Sequence, residues 1–241
     1  LSCLLLLSLF TTNMLYAKQV SLTTDEWCPY ICQPNRNKPG ILVEIANKIF
    51  SSSKTELDYQ LMSWDKAIKE VRRGRVDALI GTYISDAPDF IFHQTPILYS
   101  QMCFFVKPFD PWIFNTVFSL RDRTISVVKA YSYGEQMDNY IAQFPEKMVT
   151  LSGDKLIDQG LGLLKQNRID TLLEDKYVFK NHSDTQDYRL AGCVDKEGVY
   201  IGFSPAQKAR SKALAQFVEA RLKVLKEQGE IERVVAEYYM P

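Results

Sequence analysis

Arg75-Val76-Asp77-Ala78-Leu79-Ile80 and Arg168-Ile169-Asp170-Thr171-Leu172-Leu173 are two versions of one helix-to-strand joint. Before the first lies a segment with helical patterning that ends in Arg73-Gly74; before the second lies another that ends in Gln166-Asn167. In each case an Arg-x-Asp triplet leads into a short apolar run of strand length. Two such joints in one chain point to two similar α/β units, with chance similarity as the competing explanation.

Reading outward from the first joint, residues 20–24 form a strand-like run, residues 25–30 a turn, and residues 35–40 a loop punctuated by Pro39-Gly40. Ile41, Leu42, Ile45, Ala46, Ile49 and Phe50 share one face at a 3.6-residue period, the pattern of a helix packed on a sheet. A second helix is expected over residues 64–73, with Ser63 as N-cap and Gly74 as its stop, leading into strand 76–80. The second joint has its own set: strand 124–128, a helix from about Tyr133, and a helix over 155–165. Alternating strands and helices imply a mostly parallel sheet in each unit, hence an α/β fold. The apolar runs 102–106 and 199–204 read as strands crossing between the units, and helices 206–228 and 230–239 return to the first. The expected organisation is a discontinuous first lobe, 18–106 plus 201–241, and a second lobe, 107–200. Two crossings make a hinge, and ligand sites in open α/β sheets gather at the carboxyl ends of strands.

Composition narrows the function. The chain has 46% hydrophobic and 24% charged residues, which suits a globular protein. Lys+Arg and Asp+Glu both number 29, so the formal net charge is zero, and no basic excess marks a nucleic-acid partner. Arg72-Arg73-Gly74-Arg75 reads as the cationic end of a helix. Residues 1–17 are uncharged and begin with an apolar run, as in a secretory signal peptide, with a retained anchor as the alternative. A periplasmic location follows, and with it permission for disulfides. Cys28-Pro-Tyr-Ile-Cys32 is close enough to bridge if its turn brings the Cα atoms within about 7 Å. Cys103, inside an apolar run, is expected as a buried free thiol rather than a partner of Cys193. His93 and His182 are the only histidines and have no metal-ligand spacing, so no metal or other cofactor is expected. No Gly-x-Ser-x-Gly and no phosphate-cradling glycine loop occurs.

From about Val20 to Tyr239 the chain resembles the bacterial extracellular solute-binding proteins of the amino-acid type, which feed ABC importers. The residues that carry the resemblance are Gly40-Ile41-Leu42-Val43-Glu44-Ile45-Ala46, Ser63-Trp64-Asp65, Arg75 to Ile80, Arg168-Ile169-Asp170 with Glu174-Asp175, and Gln228-Gly229-Glu230-Ile231-Glu232. The resemblance implies the two-lobed periplasmic binding fold (type II), a monomer that captures a small polar solute in its cleft, and a permease in the inner membrane as partner. It places aromatic residues at Trp27 and Trp64, whose rings can sandwich a ligand, although both also suit ordinary core packing. It makes Asp175 the acceptor for a ligand ammonium group, although an Asp there also serves as a helix N-cap. Tyr131 and Ser132 open the segment where backbone N–H groups can seat an anion. Lys129 can supply a point charge or remain solvated, and Tyr30 and Thr82 complete the candidate set.

One departure bears on the ligand. Such proteins carry an arginine after the first-lobe strand that forks onto an α-carboxylate. Here the segment is Ser85-Asp86-Ala87-Pro88-Asp89, with no arginine between Arg75 and Arg121. Its acidic and apolar side chains do not replace a bidentate guanidinium. The expectation is a ligand that is not a simple free α-amino acid, either one with an amine or another donor and no obligate carboxylate, or one whose anionic group is met by the helix start near Ser132. Two alternatives share the fold: an enzyme like the periplasmic cyclohexadienyl dehydratases, with Glu174 or Asp175 as general acid, and a sensor without a transport role.

Overall fold

The structure is a computed structural model that describes residues 19–34, 36–51, 53 and 55–239. The expected signal peptide, residues 1–17, lies outside the described residues. Chain order is β1 (Gln19–Thr24), α1 (Ile41–Ser51), β2 (Glu56–Leu61), α2 (Trp64–Arg72), β3 (Ala78–Thr82), β4 (Ile91–Phe92), β5 (Leu98–Ser100) and β6 (Met102–Val106). It continues with β7 (Ile125–Val128), α3 (Glu135–Gln143), β8 (Met148–Leu151), α4 (Leu156–Lys165), β9 (Thr171–Asp175) and α5 (Lys176–Asn181). Last come β10 (Arg189–Cys193), β11 (Glu197–Phe203), α6 (Lys208–Glu227) and α7 (Glu230–Tyr239).

These strands form two sheets with one plan. The first runs β2-β1-β3-β11-β4, with β5 also on β11, and the second runs β10-β6-β9-β7-β8. In the first, β1 lies parallel between β2 and β3; in the second, β7 lies parallel between β8 and β9. Each triplet is then extended by an antiparallel strand, β11 on β3 and β6 on β9. The expected α/β architecture of two similar units is therefore what the chain forms.

The repeated joint has a physical basis. After α2, Gly74 takes a positive φ of 73°, its N–H reaching the Val71 carbonyl and Arg75 N–H the Glu70 carbonyl. After α4, Asn167 takes φ 57°, its N–H reaching Leu164 O and Arg168 N–H reaching Leu163 O. Both are the paired bonds that end a helix on a left-handed residue, a role for which Gly and Asn are the favoured types. The triplet's aspartate then serves the same purpose twice. Asp77 accepts from Ser21 N–H (2.9 Å), and Asp170 accepts from Thr124 N–H (2.8 Å), so each pins the start of its unit's first strand.

The helices cover the sheets with the faces the periodicity marks. In α1 the buried residues are Ile41, Leu42, Val43, Ile45, Ala46, Ile49 and Phe50, and this helix packs with α6 and α7. Each fully buried Ile, Leu or Phe there contributes about 1.5–3 kcal/mol. Gly40 precedes the helix at φ +121°, and a Cβ there would sit 2.4 Å from the Tyr30 carbonyl, so only glycine lets α1 start against the loop that holds Trp27.

Several boundaries differ from the sequence reading. The strand expected over 76–80 is shifted to Ala78–Thr82, because Asp77 is occupied with Ser21 and Arg210. Ser63 holds the N-cap position without capping; its hydroxyl donates to Asp65 instead (3.0 Å). The helix expected from Tyr133 begins at Glu135, after Gly134 at φ 87°. Strands 102–106 and 199–204 do not cross between the units. Met102–Val106 lies wholly in the second sheet, and Glu197–Phe203 wholly in the first, because each completes its own sheet's antiparallel pairing. The chain passes between sheets at Gln101 and over residues 194–196.

The cysteines are joined as Cys28–Cys32 and Cys103–Cys193. The free thiol expected at Cys103 is thus corrected: β10 pairs antiparallel with β6, which puts Cys193 directly opposite Cys103, with Cα atoms 3.9 Å apart. This bridge encloses all of β7 to β9 in its loop.

Candidate functional site

The facing ends of the two sheets bring three carboxyl groups together, Asp25 and Glu174 buried and Asp86 half-buried. Asp25 follows β1, Asp86 lies in the loop after β3, and Glu174 lies near the end of β9. Asp25 is 6% exposed, and its Oδ2 accepts from the Tyr131 hydroxyl at 2.6 Å. Asp86 accepts from Tyr83 N–H (2.8 Å) and the Thr82 hydroxyl (3.2 Å) on its own side, and from Ser132 N–H (2.8 Å) across the gap. Glu174 accepts from Asp175 N–H at 2.8 Å. None of the ion pairs among the described residues includes any of the three.

Burial without a cation sets their protonation. Desolvation pushes Asp25 up to about 7 against the pull of the Tyr131 hydroxyl. It pushes Asp86 up to about 7 despite its N–H donors, and Glu174 to about 8, where the charges of Asp175 and Asp25 add to the rise.

Aromatic rings surround these groups. Trp27 sits in a tight turn closed by Trp27 N–H to Ile31 O (2.8 Å) and Ile31 N–H to Trp27 O (3.0 Å), and stapled by Cys28–Cys32. Gly81, at φ +86° on β3, admits this turn, since a Cβ there would meet Ile31 at 2.7 Å. Trp64 begins α2, donates from Nε1 to the Ala130 carbonyl across the gap (3.0 Å), and meets Tyr131 edge-on with centroids 5.4 Å apart. Asp25, Asp86, Trp27, Trp64, Tyr83 and Tyr131 line a cavity of about 20 Å³. A space of that size holds about one water-sized group.

Of the residues expected in the site, Trp27, Trp64, Tyr131 and Ser132 line this cavity. The others are placed elsewhere. Asp175 is fully buried as the N-cap of α5, with Oδ1 accepting from Tyr177 and Val178 N–H and Oδ2 from Gln101 N–H, so its acceptors are committed to the backbone. Thr82 is fully buried, with its hydroxyl 2.9 Å from the Tyr83 carbonyl and 3.2 Å from Asp86. Tyr30 is buried behind Trp27, ring centroids 4.4 Å apart. Lys129 forms an exposed ion pair with Asp65 at 3.2 Å. The anion seat expected at Ser132 is also corrected, because an internal carboxylate, Asp86, already takes its N–H, and its hydroxyl donates to Asp138 (2.5 Å).

Asp25, Asp86 and Tyr83 were not among the expected site residues. The signal for the two aspartates was positional: each lies just past the carboxyl end of a parallel strand.

A closed gap between two α/β units, lined by aromatics and carboxyls, defines a two-lobed protein of the periplasmic binding type. The chain belongs to the bacterial extracellular solute-binding proteins, family 3, whose pattern it matches over residues 20–241. No curated protein sequence matches it. It is similar to a histidine kinase sensor domain with similarity to periplasmic binding proteins (17% identity, TM-score 0.76), covering 92% of this chain and 95% of that one. It is also similar to the P235GK mutant of ArgBP from T. maritima (20% identity, TM-score 0.74), covering 93% of this chain and 95% of that one. The arginine-, lysine-, histidine-binding protein ArtJ from Geobacillus stearothermophilus is a third (16% identity, TM-score 0.75), with 93% and 96% covered. No helix of the described residues is long and apolar enough to cross a membrane.

Proposed function

We propose that this protein is exported to the periplasm and captures a small organic cation between its lobes for delivery to an ABC importer. The observation that carries this reading is Asp25, buried in an aromatic enclosure with a tyrosine hydroxyl as partner and no basic side chain. An ammonium or guanidinium group supplies the missing charge, and the faces of Trp27, Trp64 and Tyr131 add cation–π attraction. An anionic ligand would meet three carboxyls and no arginine fork, which disfavours it by charge alone. The lobes close on the ligand by rotating about the two passages at Gln101 and residues 194–196. Binding rather than catalysis is the role of the site. The likeness to a kinase sensor domain supports a second reading, in which the same capture serves signalling. Native mass spectrometry of protein purified from its host tests the ligand class: the expected adduct is a small organic cation, and an anionic adduct contradicts it.

The carboxyl cluster also predicts a pH dependence. Folded pKa values of about 7 to 8 lie above the unfolded range near 4, so the folded protein binds more protons between those limits. Stability from this cluster therefore falls as pH rises from about 4 to about 8. Without ligand, the thermal midpoint of Glu174→Gln relative to the parent should be higher at pH 8.5 than at pH 5; an unchanged difference contradicts the assignment.

A further inference from the structure

A second and wider space adjoins the small cavity. This outer chamber, about 530 Å³, lies between the Trp27 loop of the first lobe and the ends of β7 and β9 with α4 and α5 of the second. Trp27 and Tyr131 are the residues that line both spaces. Glu174 lines the chamber at 8% exposure, with the Asp175 N–H as its hydrogen-bond donor. Trp27 is 6% exposed, and its indole N–H lies near enough to Glu174 to favour the ionised carboxylate. Glu174 is thus a buried carboxylate on the wall of a roomy chamber, held by N–H donors and with no ion pair among the described residues. The basic side chains that line the chamber, Arg36, Lys155 and His182, are accompanied by Glu26 and Asp158, with His182 paired to Asp158 at 3.0 Å.

Resting on the cation reading of the cleft, we propose that the outer chamber is a second ligand subsite, and that the solute is a linear dication of the α,ω-diamine type. One primary ammonium group, about the size of a water molecule, occupies the small cavity at Asp25. A methylene chain passes between the Trp27 and Tyr131 rings, which exclude water from it. The far ammonium group reaches Glu174. A zwitterion would instead set its carboxylate near Glu174 or stretch it to the rim, and both arrangements are poorer matches of charge.

Titration calorimetry with 1,4-diaminobutane, 1,5-diaminopentane, the monoamines of equal chain length, and lysine and arginine tests this. The best diamine is expected to bind about tenfold tighter than its monoamine, or more, since the second pair is desolvated. Glu174→Gln, checked for folding by its thermal transition, should weaken the diamine about tenfold more than it weakens the monoamine, bringing that ratio toward one. Equal binding of diamine and monoamine by the parent protein overturns the subsite without touching the cation reading, and needs no variant. Loss of both ligands alike in Glu174→Gln also overturns it. Tighter binding of lysine or arginine than of any diamine overturns it in favour of a carboxylate at the rim. If no amine binds, the cation reading itself fails and takes the subsite with it.

Discussion

Asp25→Asn will weaken binding of the cationic ligand by about 2–5 kcal/mol, roughly 30-fold to several thousand-fold in Kd. The size of the effect follows from burial. Asp25 is 6% exposed, so its pairing with a cation is screened little by water, and removing the charge leaves the ligand's group desolvated and unpaired. The substitution keeps an oxygen that can accept from Tyr131, so the 2.6 Å bond between the lobes has a replacement and the fold is little disturbed. Asp86→Asn is expected to be less selective. Asp86 already accepts three hydrogen bonds, two of which hold its own loop, so its loss acts on closure as well as on the ligand. Calorimetry on both variants, with thermal unfolding as the check on folding, separates these effects. An Asp25→Asn variant that binds as tightly as the parent contradicts the assigned role.

The two disulfides should differ in how much they stabilise. The chain-entropy account makes the stabilisation grow with the loop closed, giving about 4.5 kcal/mol for a ring of roughly 90 residues and about 2 kcal/mol for one of roughly five. Cys103–Cys193 has a sequence separation of 90 and encloses the parallel triplet of the second lobe; Cys28–Cys32 has a separation of 4. Replacing Cys103 and Cys193 together by serine should therefore cost about twice as much as replacing Cys28 and Cys32, as read by denaturant unfolding. The smaller ring acts locally. It fixes the turn that presents Trp27, so its removal should show more in ligand affinity than in stability. Equal unfolding costs for the two double variants would contradict this account.

Much of the fold was legible because its signals are local. The helix faces of α1 and α2 follow from periodicity. The two joints follow from Gly74 and Asn167 in left-handed conformations, each followed by an Arg-x-Asp triplet whose aspartate holds the neighbouring strand. The assignment of Met102–Val106 to the second sheet was not legible, because an apolar run of that length suits either sheet until its partners are known. The same pairing hides the Cys103–Cys193 bridge, since two cysteines 90 residues apart become neighbours only through the β6–β10 register. The site was legible in half. Trp27 and Trp64 could be placed from the strands and helix they adjoin, whereas Asp175 illustrates how one residue type serves two purposes. An aspartate beyond a strand and before a helix can face a ligand or cap the helix, and here the Tyr177 and Val178 N–H groups make it the cap while Gln101 N–H takes its other oxygen. Asp25 gained its importance from burial and Asp86 from its bond across the gap to Ser132, properties of the assembled lobes that no local pattern in the chain encodes.

Titration calorimetry of the purified protein against simple organic cations, the twenty amino acids and small organic acids, at pH 7.5, decides whether Asp25 selects for positive charge. Micromolar or tighter binding is expected only for ligands with a net positive charge, and is expected to be lost in Asp25→Asn. Micromolar binding of an acid or of an uncharged α-amino acid, unaffected by that substitution, would contradict it.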